Sequence, residues 1–502
     1  MKKGKSVLDI FNVPIWLFVL LLTVFVLRIP SFFEPYSYGD EMIYLTLGEA
    51  VRQGVPLYKG IYDNKPPLLY LIAFISGNLF WFKAILALWH LITVFIFFKL
   101  TEFLFLGKKN SQLIATTIFA LFTTLPLLEG NIVNAELFMI LPTIAAFYIL
   151  LTKTPSSKNL VFSGVLFSIA TLFKIPAAFD LAAIVFFWLI SAKKLNKKNL
   201  KKISLSIFYL SAGFITPILL TFIWYFLKGA LTEYLFAAFF QNIGYLSSWR
   251  PVGSQEPFFL KNAPLFTRAL IVLLLLSALY WKKKVVSPNF SFICAWLFFS
   301  LFAVTLSERP YPHYLIQSVA PISLLSSILF TFTNLEQVLA IMPLTIAVFA
   351  PFYFKFWYYP TLPYYIRFAK FISKNISQEE YFSNYASHIP RNYKIATFLK
   401  SSSQPDEKIF VWGDTSNIYA LSQRLPPVKY VADYHIKDFS NEEETIKALR
   451  SNPPSFIIIL PDASPFPQLN NFLISNYGLV ETIDSAKIWK LLNSQVRSLL
   501  TS

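Results

Sequence analysis

Two adjacent carboxylates, Asp40 and Glu41, follow the first long apolar run of the chain. Apolar residues recur after them at helical spacing, which favours a helix that begins with Ser37 or Asp40 as its N-cap. The chemical interpretation is a general base, because partial burial beside a hydrocarbon layer raises the pKa of a carboxyl group and restricts water. The residues alone support both interpretations.

Two lone lysines are the cations that could oppose these acids. Lys65 precedes Pro66 and Pro67, which stiffen the chain beside the acidic loop. Lys174, in TLFKIPAAF, lies at the predicted outer end of an apolar run. Lysines at headgroup depth commonly extend their ammonium group to water and need no further role. The alternative for Lys65 is neutralisation of a lipid phosphate, and Lys174 is a second candidate for that role.

A second acidic loop, LLEGNIVNAELF, places Glu129 and Glu136 at the start of an apolar run. Acids at membrane depth are uncommon, and they are functional candidates for that reason. Asn131 and Asn134 equally indicate an ordinary capped turn. This loop therefore also has two interpretations.

The segment RPYPHYLIQSVAP places Arg309, His313 and Tyr314 at the entry to another apolar run. Among the four histidines, His313 is the one that lies beside a predicted membrane end and charged residues. His90 lies within an apolar run, where we expect it to form a hydrogen bond to a neighbouring helix.

The other histidines and the single cysteine predict no metal site. His388 and His435 have no metal-ligand spacing around them. Cys294 lies within an apolar run, where a small buried side chain is expected. The chain also has no Walker loop, GxSxG, HExxH or strand-linked GxGxxG motif, so an ATP-driven pump, a serine hydrolase or a zinc protease is not indicated.

The composition indicates where these side chains must act. Hydrophobic residues make up 55% of the 502 residues and charged residues only 14%, against about 25% in an ordinary soluble domain. A helix that crosses a membrane needs about 20 mostly apolar residues. Eleven runs are candidates and predict a polytopic α-helical membrane protein: 11–31, 84–106, 112–128, 134–152, 160–175, 177–192, 203–227, 264–281, 289–306, 314–331 and 337–355.

The lysines predict the orientation of these runs. The net charge is +17, and loops on the cytoplasmic side of a membrane collect Lys and Arg. If the short stretch 66–80 lies on the membrane surface, sixteen lysines fall on one side, including those of the cluster 193–202. We therefore predict a multi-pass protein of the cell membrane with a cytoplasmic N-terminus and an extracytoplasmic C-terminal domain. Basic residues confined to such loops are not a nucleic-acid-binding surface.

The composition changes after residue 360. Residues 361–502 hold 15 Lys and Arg and 13 Asp and Glu, so this part is nearly neutral. Four short apolar runs alternate there with helical patterns and predict a mixed sheet: KIFVW (408–412), SFIIIL (455–460), GLVETI (478–483) and AKIWKLL (486–492). The predicted domains are a transmembrane domain, 1–360, and a soluble α/β domain, 361–502.

The first loop resembles that of the GT-C glycosyltransferases, which are multi-spanning membrane enzymes. The most similar groups are the lipid A aminoarabinose transferases, the protein O-mannosyltransferases and the bacterial dolichyl-phosphate-mannose-transferase-like proteins. The matching residues are the Asp40–Glu41 pair, Gly54-Val-Pro-Leu57-Tyr58 and Lys65-Pro66-Pro67-Leu68. RPYPHYLIQSVAP and KIFVWGDTSNIYALSQRLPP resemble later elements of the same proteins. Lys65 stands where the mannosyltransferases have His, as in the aminoarabinose type.

The resemblance implies a GT-C fold with surface helices in the first outer loop. It also implies transfer of a sugar, with inversion, from a polyprenyl-phosphate donor to an acceptor hydroxyl at the outer membrane face. Asp40 would be the general base, Glu41 would assist it, and Lys65 would bind the donor phosphate. The further candidates are Lys174 and His313 for the phosphate, and Glu136, Tyr58, Tyr314 and Arg309 for the cavity.

The same resemblance sets the expected partners: the donor lipid, membrane lipids and an unidentified acceptor, with no nucleic acid. No cofactor is indicated. A divalent metal is doubtful, because the tandem acidic metal motif of the oligosaccharyltransferases has no counterpart here. The sugar is not predicted, and acceptor choice is expected to involve the aromatic loop 228–263.

Two alternatives from other classes are a transporter of lipid or polysaccharide and a non-catalytic scaffold that uses the same outer cavity. A transporter should have polar residues on both membrane sides and between them, whereas the middle of these runs is rich in Phe and Leu. A scaffold needs no pair of carboxylate and lysine at headgroup depth. A ligase or polymerase that uses a lipid-phosphate donor is the alternative within the enzyme class.

Overall fold

The computed structural model describes residues 13–192, 194–241, 258–307, 309–413 and 415–493. Within them, eight helices are long and apolar enough to cross a membrane: Ile15–Phe33, Leu79–Leu104, Ala135–Thr152, Lys197–Leu227, Ala263–Trp281, Pro288–Thr305, Pro312–Thr331 and Leu335–Tyr353. Three further apolar helices are shorter: Ser157–Phe173, Ile175–Ser191 and Leu231–Phe240. The chain is therefore a multi-pass membrane protein, as predicted.

Each of the eleven predicted spans falls on a helix, including 112–128, which corresponds to Lys109–Phe122. Because only eight of these helices meet the length and hydropathy of a crossing, the count of eleven stays a prediction. The lysines of the first ten residues, Lys193 and part of the loop 228–263 lie outside the described residues.

Contacts divide the chain into two compact units. The first, which we call the helical unit, comprises residues 1–31, 83–224 and 238–364. The second, which we call the sheet unit, comprises residues 32–82, 225–237 and 365–502. The predicted domain boundary between residues 360 and 361 stays a prediction.

The helical unit brings two of its helices together at glycines. A Cβ atom on Gly164 would lie 2.1 Å from the carbonyl oxygen of Leu210, and one on Gly213 would lie 2.0 Å from that of Val161. Small residues allow the backbones of membrane helices to approach this closely. In the same unit, His90 Nε2 lies 2.7 Å from the hydroxyl oxygen of Thr123, which confirms the expected bond to a neighbouring helix.

The sheet unit contains four strands: β1 (Ile409–Trp412), β2 (Phe456–Ile459), β3 (Tyr477–Ile483) and β4 (Ala486–Leu491). Their order is β1-β2-β4-β3, with β1 and β2 parallel and the other pairs antiparallel. The predicted mixed sheet is thereby confirmed. The helices that the structure describes after residue 360 are Thr361–Ile372, Gln378–Ser383, Ile389–Ser402, Asn417–Ser422, Asp433–Phe439, Glu442–Ser451 and Pro467–Asn476.

The helix that carries the acidic pair, Gly39–Arg52, is called the Asp40 helix. Its N-cap is Tyr38, which forms no side-chain capping bond, so the prediction that Ser37 or Asp40 caps it is wrong. Asp40 instead lies in the first turn, where the helix dipole favours a negative charge. Neither residue occupies the N-cap position, because the helix begins two residues after Ser37 and Asp40 is already inside it.

The Asp40 helix packs on the short helix Leu68–Ser76 through Gly48. A Cβ atom on Gly48 would lie 2.6 Å from backbone atoms of Ala73 and Phe74, so no side chain fits there without a backbone shift.

Gly48→Ala is therefore expected to destabilise the sheet unit by about 1–3 kcal/mol, as overpacking of a filled contact commonly does. The measurement is the midpoint of thermal unfolding in detergent. Gly39→Ala, on the same helix, is the matched control, because an added Cβ there meets nothing within 4 Å. Equal midpoints for the two variants would contradict the proposed packing.

The C-terminal part of the sheet unit holds the start of the Asp40 helix. The Ser416 hydroxyl donates to the carbonyl oxygen of Gly39 at 3.2 Å, and the Asn417 side-chain amide donates to that of Tyr36 at 2.7 Å. The helix Asn417–Ser422 also packs against the Asp40 helix. Segments far apart in the sequence thus fix the position of Asp40.

Candidate functional site

Lys65 lies between two carboxylates in the sheet unit. Its Nζ atom is 3.4 Å from Oδ2 of Asp40 and 3.8 Å from Oδ2 of Asp63. The side chains of Lys65 and Asp40 are 24% and 36% exposed, whereas that of Asp63 is 3% exposed. A ligand can therefore reach the ammonium group and Asp40 while Asp63 holds the ammonium group from inside the protein.

Buried tyrosines bind both carboxylates. The hydroxyl of Tyr44 donates to Asp40 at 2.8 Å, and that of Tyr70 donates to Asp63 at 2.9 Å. Burial, reinforced by the nearby carboxylates, raises the pKa of both phenols well above the usual range, so both stay protonated and act as donors. Hydrogen bonds of this kind stabilise the charged form of a carboxyl group.

Hydrogen bonds with Tyr58 and Tyr70 fix the backbone of Lys65. Tyr58 has a left-handed backbone conformation (φ 69°), and its N–H donates to the carbonyl oxygen of Ile61 at 2.7 Å. Its hydroxyl donates to the carbonyl oxygen of Lys65 at 2.8 Å, and the N–H of Lys65 donates to the hydroxyl of Tyr70 at 3.2 Å. Tyr58 itself is fully buried, so it acts on this site by holding the backbone of Lys65.

Tyr58 is in turn packed by two tyrosines of the segment 225–237. Its ring centroid lies 5.2 Å from that of Tyr225 and 5.1 Å from that of Tyr234. Edge and tilted contacts of this kind stabilise buried aromatic rings beyond simple burial. The support for Lys65 therefore reaches into a separate part of the sequence.

Asp63 is the member of this site that the sequence interpretation missed. Besides the bond from Tyr70, its Oδ1 atom accepts from the N–H of Asn64 at 2.8 Å. The available signal was its place in DNKPP, two residues before Lys65. Glu41 is 1% exposed in the first turn of the Asp40 helix, and its assisting role stays a prediction.

Five predicted or considered residues of the helical unit form a second network. His313 Nδ1 forms a hydrogen bond with Glu129, and its Nε2 atom lies 3.9 Å from Oε1 of Glu136. Lys174 forms an ion pair with Glu136, and its Nζ atom lies 3.5 Å from the centroid of the Tyr314 ring. The structure therefore brings Lys174, His313, Glu136 and Tyr314 together with one another.

Asn134 caps the helix that carries Glu136. Its side-chain oxygen accepts from the N–H of Leu137 at 3.1 Å, which confirms the interpretation of a capped turn. Its amide also donates to the carbonyl oxygen of Glu129 at 3.3 Å, so the cap and the second network share a turn. Arg309 is partly buried, and its backbone N–H donates to the hydroxyl oxygen of Ser307 at 3.4 Å.

Across the residues that the structure describes, no group of three or more His, Cys, Asp or Glu side chains is arranged to hold a metal ion. Carboxylates are present at both clusters, but each is bonded to a cation, a phenol or an imidazole.

Comparison with known proteins gives one partial sequence match and several structural matches. Residues 391–491 match a family model described as the C-terminal domain of the competence-induced protein Ccs4. No curated protein sequence matches the chain. The sequence match covers only a part of the sheet unit.

The solved structures that resemble the chain are membrane glycosyltransferases. ArnT from Cupriavidus metallidurans bound to undecaprenyl phosphate is similar with a TM-score of 0.55 and 11% identity, over 95% of this chain and 98% of that chain. Its apo state is similar with a TM-score of 0.50 and 11% identity, over 94% and 97%. The archaeal oligosaccharyltransferase AglB from Archaeoglobus fulgidus, in complex with an inhibitory peptide and a dolichol-phosphate, gives a TM-score of 0.45 at 12% identity, over 90% and 70%.

The two ArnT structures cover nearly the whole of both chains, so the similarity includes the membrane helices and the sheet-containing part. The fold expected from the resemblance of the first loop therefore agrees with an independent comparison of structures. This chain has the fold of the GT-C superfamily of membrane glycosyltransferases.

Proposed function

We propose that the chain is a glycosyltransferase that moves a sugar from a polyprenyl-phosphate donor to an acceptor hydroxyl at the outer membrane face. The observation that carries this proposal is Lys65, a partly exposed ammonium group held between Asp40 and Asp63. A solved protein of the same fold is bound to undecaprenyl phosphate, which supports a lipid phosphate as the ligand of this cation.

Lys65 would bind the phosphate of the donor. Of the two carboxylates that lie near its ammonium group in the described part of the chain, Asp40 is partly exposed and Asp63 is buried. An incoming phosphate would replace Asp40 as the exposed partner of Lys65, while Asp63 keeps the ammonium group in place. Asp40 would thereby lose a neighbouring positive charge, which raises its proton affinity. Donor binding would in this way make Asp40 a stronger base.

The reaction is a single displacement. The acceptor oxygen forms a bond to the anomeric carbon of the sugar while Asp40 takes the proton of the acceptor hydroxyl. The bond between the anomeric carbon and the phosphate oxygen breaks, and its electron pair stays on the polyprenyl phosphate. Lys65 neutralises the charge that develops there. Attack from the face opposite the phosphate inverts the anomeric configuration.

Within the helical unit, Lys174 and His313 are proposed as phosphate ligands, and both already contact carboxylates. Any phosphate that binds them must therefore compete with Glu136 or Glu129, as it must compete with Asp40 at Lys65. Tyr314 and Arg309 are proposed as members of the cavity.

The test is donor turnover by the full chain in nanodiscs. Undecaprenyl phosphates that carry mannose, glucose, galactose, N-acetylglucosamine or 4-amino-arabinose are supplied in turn, and release of undecaprenyl phosphate is measured. We expect release from one class of donor, and we expect it to depend on Asp40.

Other outcomes separate the alternatives. Movement of an intact sugar lipid across the bilayer without cleavage would indicate a transporter. Binding of a cell-envelope partner without cleavage of any donor would indicate a scaffold. An undecaprenyl donor that carries an oligosaccharide is supplied as a further arm, and its cleavage without cleavage of any single-sugar donor would indicate a ligase or polymerase. Any of these three results would contradict the proposed transfer of a single sugar.

A further inference from the structure

His435 is a buried histidine that the proposed mechanism does not yet use. It lies in the helix Asp433–Phe439 of the sheet unit and is 6% exposed. Within the described part of the chain, its Nδ1 atom is buried and has no hydrogen-bond partner. Buried polar atoms are nearly always paired, so a missing partner at this position requires an explanation.

His435 lies in the same unit as Lys65 and Asp63. The charges of Asp63, Asp40 and Asp438 raise the pKa of its imidazole, and that of Lys65 lowers it. Burial is the largest effect and lowers the pKa of the imidazole, so the ring is neutral at pH 7. A neutral imidazole has one donor and one acceptor nitrogen, which suits a hydroxyl group.

A backbone contact ties this region to the loop that carries Lys65. The N–H of Tyr62, the neighbour of Asp63, donates to the carbonyl oxygen of Lys429 at 2.9 Å. The ring of Tyr62 packs against those of Tyr430 and Phe439, with centroids 5.2 Å and 5.5 Å apart. The ring of His435 lies 5.6 Å from that of Phe439, so one aromatic cluster joins both residues.

Tyr62 repeats the feature found at His435. Its side chain is 3% exposed, and its hydroxyl has no hydrogen-bond partner among the residues described. Two buried polar atoms without a hydrogen-bond partner in the described part of the chain, set around one aromatic cluster, suit a binding site in which few polar groups fix the orientation of a ligand.

We infer that His435, with Tyr62 beside it, binds a hydroxyl of the sugar that the donor lipid carries. This inference rests on the proposed function. The sugar is the group attached to the phosphate that Lys65 would bind, and His435 is linked to the loop of Lys65 through the aromatic cluster that it shares with Tyr62. A neutral imidazole among aromatic rings suits a sugar hydroxyl and not a second phosphate. The C-terminal part of the chain thereby contributes to recognition of the donor.

The test compares two lipids that differ only in the sugar. Affinities of the full chain in nanodiscs are measured for undecaprenyl phosphate and for the sugar-bearing donor found in the turnover assay. We expect His435→Ala to weaken binding of the sugar-bearing lipid about 10-fold, the usual size of one lost hydrogen bond, and to leave undecaprenyl phosphate unchanged. His435→Asn, which keeps a donor and an acceptor, should recover part of the loss.

His388→Ala is the matched control, because this second histidine of the sheet unit is exposed at the start of the helix Ile389–Ser402. Undecaprenyl phosphate binding reports in the same experiment that the His435 variants are folded. Equal loss for both lipids, or no loss for either, would overturn the inference and leave the proposed function standing. Failure of the unaltered chain to bind either lipid would overturn both.

Discussion

Asp40→Asn is expected to reduce the rate of sugar transfer by about 10²–10⁴-fold, the usual contribution of a general base. The asparagine oxygen can still accept the hydrogen bond that Tyr44 donates to Asp40, so the local structure should survive. It cannot take a proton from the acceptor hydroxyl. The measurement is kcat for transfer from the sugar lipid identified in the turnover assay.

Donor affinity distinguishes a lost base from a damaged site. Asp40 is the exposed partner of Lys65, so its neutralisation removes a competitor of the donor phosphate. Asp40→Asn should therefore bind undecaprenyl phosphate at least as tightly as the unaltered chain. Glu49→Gln is the control on the same helix, where the carboxylate pairs with Arg52 in the last turn. Unaltered turnover by Asp40→Asn would exclude Asp40 as the base.

The sequence predicts the elements of this fold better than their contacts. Long apolar runs predict the membrane helices because about 20 apolar residues in a helix span the hydrocarbon layer and pair their backbone polar groups within the segment. The four strands follow from short apolar runs between turn residues. A glycine within a helix, such as Gly48, would by itself predict lower helix stability. Its role in close packing depends on Ala73 and Phe74 of another helix.

The residues of the site also differ in how well the sequence predicts them. Asp40 and Lys65 stand out because they are charges beside apolar runs, and the resemblance assigns their roles. Asp63 is hidden because an aspartate in a polar loop is ordinary until Tyr70 and Lys65 are seen around it. His435 could not be found, because the contact between Tyr62 and Lys429 that brings it near joins distant parts of the sequence.

Lys65→Met should weaken binding of undecaprenyl phosphate by about 10- to 100-fold, since hydrogen bonds to charged groups contribute roughly 1.5–3 kcal/mol. Methionine keeps the length of the side chain and removes the charge. It also leaves Asp63 buried beside Asp40 without the cation between them, so kcat should fall as well. The measurement is the affinity for undecaprenyl phosphate together with kcat for transfer.

Lys65→Arg separates charge from geometry. A guanidinium group keeps the positive charge but is planar and longer, and it must fit between carboxylates that now lie 3.4 Å and 3.8 Å from a single Nζ atom. We expect it to recover binding of undecaprenyl phosphate more fully than turnover. The fold of each variant is checked by its thermal midpoint in detergent, and unchanged affinity in Lys65→Met would exclude this lysine as the phosphate ligand.

A double-mutant cycle of Asp63→Asn with Lys65→Met tests whether Asp63 acts through Lys65. If Asp63 acts by holding the ammonium group of Lys65, its substitution should weaken phosphate binding in the unaltered chain and have little effect in Lys65→Met. Residues that act through one contact are non-additive in this way, whereas independent sites add. Additive losses in the cycle would mean that Asp63 does not act through Lys65. The coupled result would instead identify the loop between Tyr58 and Tyr70 as the element that positions the phosphate ligand.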